Sequence, residues 1–89
     1  YTGLAESLVH EPNILELYRT GEDAGLLALV RTQGLDGYNA FIKRLYENYD
    51  ILDTHTTVSI ESHIAEVGPP TLRTATLISD PLAARSMEL

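Results

Sequence analysis

The sequence predicts an α+β fold in which an antiparallel sheet is backed by helices on one face. Three observations carry this. Two short apolar runs, Ile14 to Arg19 and Gly25 to Val30, flank the turn Thr20-Gly21-Glu22-Asp23 and read as a β-hairpin. A helical stripe follows, with Tyr38, Phe41, Ile42, Leu45 and Tyr49 at i, i+3, i+4, i+7 and i+11. Beyond it, Ile51 to Glu61 is rich in β-branched residues, which suit a pleated sheet.

At the start of the chain, Leu4, Leu8 and Val9 recur at helical spacing, and Thr2 is placed to cap a helix with Glu6 near its positive end. Pro12 stops this helix, because the residue before a proline is pushed out of the helical region. A helix over about residues 2–11 is expected. The hairpin strands span 13–19 and 25–32. In the second of them both parities are apolar: Leu27 and Leu29 on one side, Leu26, Ala28 and Val30 on the other. A strand apolar on both sides is buried on both faces. One layer of helices covers one face only, so the other calls for a partner.

Asp36 is the expected cap of the second helix, which Asn48 or Asp50 ends; Lys43, Arg44 and Glu47 take its wet side. The aromatic members of its stripe read first as core. Gly68-Pro69-Pro70 breaks the chain after the Thr-rich strand, and Thr71 to Ser79 has the pattern of a fourth strand. The last residues, Leu82 to Leu89, form a helical turn or two, or fray.

With 89 residues there is room for one domain and one core, 1–89, and a domain that small is often supplemented by oligomerisation. The composition, 44% hydrophobic and 21% charged, is that of a globular chain. There is no cysteine, hence no disulfide framework and no thiolate metal site. Thirteen acids against six bases give a formal net charge of -7, a field that repels a polyanion such as DNA. No apolar run approaches the roughly 20 residues that span a bilayer, and the chain opens without a basic and then apolar leader. A cytoplasmic setting is expected, with no membrane partner.

Helix, hairpin, helix, strand is the remainder of a ferredoxin-like βαββαβ sandwich whose first strand is missing or replaced. The stretches Tyr18-Arg19-Thr20-Gly21-Glu22-Asp23, Gly25 to Arg31, Ala40-Phe41-Ile42 with Leu45, and Asp50 to Val58 carry a more specific likeness. In their order and spacing, residues 2–61 resemble the ligand-sensing RAM domain of the Lrp/AsnC (feast/famine) transcription regulators. That family has a Thr-Gly-x-x-Asp turn, then an apolar strand, a helix with a Phe-Ile-like pair, and a Gly-Val-x-x-Thr-x-Thr strand. The resemblance implies a dimer or higher oligomer, a small amino-acid effector bound at the dimer interface, no cofactor and no catalysis. It also implies contact with DNA only through a helix-turn-helix domain. That domain is absent from this chain or separate, so the chain is either a stand-alone sensor or part of a longer regulator. The family's turn Asp falls where this chain has Ala24; Asp23 comes one residue early.

As the resemblance implies, the effector site is Thr20, Gly21, Glu22, Asp23 and Ala24. Gly21 permits positive φ and close approach of a ligand, and two carboxylates suit an ammonium group. A polar hairpin turn would use the same residues for local reasons. His55 and His63 share a face of one extended strand about 26 Å apart at roughly 3.3 Å per residue, too far for one metal ion. Ser59, His55 and Asp53 alternate on a strand without a nucleophile elbow, so no hydrolase triad is expected. Tyr38, Tyr46 and Tyr49 suggest the pocket of a small cofactor-free dimeric enzyme, a monooxygenase or isomerase. That rival reading, and a ligand-free oligomerisation module, share the fold. Finally, the ferredoxin-like order 4-1-3-2 leaves a central slot between the strands at 25–31 and 51–61. Thr71 to Ser79 has the length to fill it, in its own subunit or a neighbour's; a strand upstream of Tyr1 is the competing source.

Overall fold

The computed structural model describes residues 3–21, 25–62 and 71–81. In chain order the elements are α1 (Leu4–Leu8), β1 (Ile14–Arg19), β2 (Gly25–Thr32), α2 (Gly34–Asn48), β3 (Asp53–Ser62) and β4 (Thr71–Ser79). The four strands form one sheet in the order β1-β2-β4-β3, and every neighbouring pair is antiparallel. The arrangement is compatible with a ferredoxin-like sheet whose central slot is taken by β4 of the same chain. Gly25 to Thr32 pair with Ser79 back to Leu72 without interruption, and β3 pairs along the other edge of β4 from Asp53↔Ser79 to Ser62↔Thr71.

The helices lie on one face, where Leu26, Ala28 and Val30 of β2 and Ile78 of β4 meet Leu4 and Leu8 of α1 and Phe41 and Leu45 of α2. Fully burying side chains of this size contributes about 1.5–3 kcal/mol each. Tyr38 joins this layer: its hydroxyl lies 2.5 Å from Thr56 Oγ1 and 2.8 Å from Thr76 Oγ1, and Thr76 Oγ1 is 3.1 Å from Thr74 Oγ1. The hydroxyls of α2, β3 and β4 thus satisfy one another, which a buried polar group requires.

Four local expectations shift. The first helix is five residues, not ten: after Leu8 the chain tightens, with His10 N donating to Ser7 O and Glu11 N to Leu8 O. Val9 accordingly faces solvent at 59% exposure instead of sharing the face of Leu4 and Leu8. Gly3, without a side chain to cap, precedes the helix; Thr2 lies outside the described residues. The second helix begins at Gly34, two residues before the expected cap Asp36, which sits in its first turn. Gly34 takes φ +69°, a left-handed conformation open to glycine at little cost, and that turns β2 directly into the helix. β3 begins at Asp53 and not Ile51, because Ile51 packs against the core while Leu52 N donates to Ser79 O at 3.0 Å.

β2 is not buried on both faces within this chain. Leu26, Ala28, Val30 and Thr32 are buried, whereas Leu27 and Leu29 are half-buried on the opposite side.

Candidate functional site

The hairpin turn is closed by Thr20, whose N–H and Oγ1 both donate to Gly25 O, at 3.0 and 3.2 Å. Gly25 is buried against β4, and a Cβ there would stand 3.0 Å from Ile78 O, a tight contact to backbone that favours glycine. Gly21 is exposed, and a Cβ on it would meet nothing within 4 Å among the described residues. The positive φ among the described glycines belongs to Gly34 and not to Gly21. Glu22, Asp23 and Ala24 lie outside the described residues.

The other residues singled out above are scattered. His10 and His55 are exposed on separate elements, and His63 lies outside the described residues. Among the described residues no group of three or more His, Cys, Asp or Glu side chains is placed to hold a metal ion. The three tyrosines of α2 and its C-cap point to different partners: Tyr38 to Thr56 and the buried Thr76, Tyr46 to Thr54 Oγ1 at 3.2 Å, Tyr49 to Glu11 Oε2 at 2.7 Å.

Tyr49 belongs to a polar cluster that sequence reasoning missed. Arg44 Nη2 donates to Glu11 Oε1 at 3.2 Å and to Asn13 Oδ1 at 3.0 Å, and Asn13 Nδ2 donates to Arg31 O at 3.0 Å. Through it, α2 grips the segment between α1 and β1. The Glu11 carboxylate that accepts from the Tyr49 hydroxyl raises the phenol's pKa; burial and the charge of Glu11 add to this, and Arg44 opposes it. Only long-range contact assembles this group, so no spacing in the sequence announces it.

The side of the sheet away from the helices is uncovered by any described element. Its centre is apolar, with half-buried Leu27 and Leu29 of β2 opposite Leu77 and Ala75 of β4. Leu15 and Tyr18 of β1 are exposed at 47% and 50%. The Tyr18 hydroxyl donates to Glu16 Oε1, which raises the pKa of the phenol. Arg31 and Arg73 stand directly opposite each other at one end of this face, and Asp53 lies at the other end beside Ser79. At the first end a cleft of about 450 Å³ opens between Pro12, Asn13, Arg31, Gln33 and Thr71.

Among the described residues no helix is long and apolar enough to cross a membrane. Neither a curated protein nor a solved structure matches the chain. A family model does: that of the Lrp/AsnC ligand binding domain, over residues 1–68. The match takes in both helices and the first three strands and stops short of β4. The chain therefore belongs to the Lrp/AsnC ligand binding domain family, whose members are ligand-binding regulatory domains.

Proposed function

We propose that this chain, 1–89, is the effector-sensing and oligomerisation domain of a transcription regulator. It acts in the cytoplasm as a dimer or higher oligomer, paired through the uncovered face of its sheet, and binds a small amino-acid-like ligand at the dimer interface. The observation that supports this most is the sheet's open face, where Leu27, Leu29, Ala75 and Leu77 form a half-buried apolar centre with no described element over it. An apolar sheet face is stabilised by a second layer, and a second copy supplies one. The net charge of -7 suits a domain that leaves DNA to a helix-turn-helix elsewhere.

The proposed ligand contact is the turn Thr20, Gly21, Glu22, Asp23 and Ala24. No described residue crowds Gly21, which suits a ligand beside the backbone, and Thr20 fixes the base of the turn through Gly25 O. Two measurements test the reading. Light scattering at micromolar concentration is expected to give at least twice the chain mass, and a folded monomer would sink the assembly. Amino acids at millimolar concentration are expected to raise the melting temperature, since a ligand at a hundred times its Kd stabilises by about 2.7 kcal/mol. Gly21→Val should abolish that rise and leave the dimer intact.

A further inference from the structure

The two ends of the sheet differ. The hairpin turn sits where Gly25 meets Ser79, and the cleft of about 450 Å³ sits at the other end, where Thr32 meets Leu72. Its walls come from strand termini: Pro12 and Asn13 ahead of β1, Arg31 and Gln33 at the close of β2, and Thr71 at the start of β4. Four residues, about 13 Å of extended chain, separate Gln33 from Leu29 and Thr71 from Ala75. The cleft therefore lies beyond the apolar centre on which a second copy is proposed to sit.

The donors here lack partners. The Arg31 guanidinium makes no ion pair among the described residues, while its backbone is held in place: Arg31 O accepts from Asn13 Nδ2 at 3.0 Å. Gln33 stands at the N-cap of α2, and its amide makes no capping bond. Thr71 Oγ1 is shielded from solvent and has no hydrogen-bond partner, where buried polar groups are ordinarily satisfied. Arg73, directly opposite Arg31 in register, has no ion pair among the described residues either, although acids outnumber bases thirteen to six. Like charges directly opposite on neighbouring strands repel each other. A bound anion offsets that repulsion.

Two fixed positive charges beside an amide and a hydroxyl suit a doubly charged oxyanion better than the single charge of a carboxylate. We infer that this cleft binds the phosphate group of a small phosphate monoester, at the end of the sheet away from Thr20 and Gly21. The Arg31 guanidinium meets two phosphate oxygens, with the charge of Arg73 beside it. Gln33 donates through its amide, and one step of χ1 to another staggered position turns the Thr71 hydroxyl toward the cleft. The field of a chain with net charge -7 opposes a long polyanion, so the ligand is a small molecule and not a nucleic-acid backbone. Neither its place nor its chemistry rests on the amino-acid site proposed at the turn.

Amide NMR titration of the full chain with glycerol 3-phosphate, at constant ionic strength made up with chloride, tests this. Shifts are expected at Arg31, Gln33 and Thr71, and none with glycerol, which lacks the phosphate. Arg31→Met should weaken binding about tenfold, the loss of a charge-assisted contact. Thr71→Val should weaken it less and leave the melting temperature of the free chain unchanged, because the hydroxyl has no partner to lose. Arg31 is exposed, so the fold is expected to survive its substitution, and melting without ligand checks it. Shifts that glycerol reproduces, or that persist undiminished in Arg31→Met, overturn the site. So does a mixed-sequence DNA duplex that moves these amides where glycerol 3-phosphate does not. Arg31→Met should also leave the mass seen by light scattering unchanged; a halved mass assigns Arg31 to the contact between copies and overturns the site.

Discussion

The two faces of one sheet are built from the same strands and differ in what they ask of their residues. On the helix face, Leu26 and Ile78 oppose each other with 1% and 0% exposure, and even the buried Thr74 and Thr76 find hydroxyl partners. On the open face, Leu27 and Leu77 oppose each other half-buried, and the charged residues around them lack ion-pair partners among the described residues. Adjacent residues of β2 and β4 thus serve separate ends, one the stability of the chain and the other its encounters.

The comparison depends first on β4, which contributes to both faces. Ending the chain at Gly68 should abolish cooperative unfolding, because β2 and β3 would each be left with a row of unpaired backbone groups. A shortened chain that keeps the amide-exchange protection of Leu27 and Val58 would refute it. Next, the faces should part under substitution. Phe41→Ala empties the core at a fully buried site and is expected to cost about 3–5 kcal/mol in denaturant unfolding. Leu77→Asp should cost the monomer less than about 1 kcal/mol, as a partly exposed site does, while halving the mass seen by light scattering. Equal destabilisation by the two would erase the distinction.

Smaller effects sharpen the picture of the covered face. Tyr38→Phe removes the hydroxyl shared by Thr56 and Thr76 and is expected to cost about 1 kcal/mol, read as a shift in denaturant midpoint at constant slope. Smaller still is the alkaline behaviour of Tyr49. Its folded-state pKa is raised above 10.0, first by the hydrogen bond to Glu11. That contribution is complete below the unfolded value and is lost as pH rises through the raised one. The stability of the wild type relative to Tyr49→Phe should therefore decline above about pH 10 and stay level below it. A difference that is constant with pH would show that Glu11 does not hold this proton.

Much of the covered face was legible in the sequence, because burial imposes periodicity. The stripe of Tyr38, Phe41 and Leu45 is read from spacing alone, and Thr71–Ser79 matches its expected bounds, but in β2 both parities are apolar and spacing does not say that Leu26, Ala28 and Val30 are the side that meets the helices. In the turn, Thr20 closes the hairpin through Gly25 O, Gly21 lacks the positive φ that glycine allowed, and Glu22, Asp23 and Ala24 lie outside the described residues. What escaped is set by long-range fit. In Ile14-Leu15-Glu16-Leu17 both parities carry apolar residues, so nothing local says that the register slips at Leu15. That slip decides which residues join Glu16 on the open side. Arg31 and Arg73 meet only because β4 enters the centre of the sheet.

The place of β4 also sets the order in which the molecule can assemble. The hairpin of β1 and β2 closes locally, but the sheet's central pairing joins residues as distant along the chain as Leu26 and Ile78. Loop closure must be met before such contacts reward it, which puts folding on the order of milliseconds to seconds. On the ribosome, β2 emerges with an open edge and waits for the strand that will fill it. During that interval the apolar run from Leu26 to Val30 is exposed to other nascent chains, which makes the unfinished edge of β2 the chain's aggregation-prone stage.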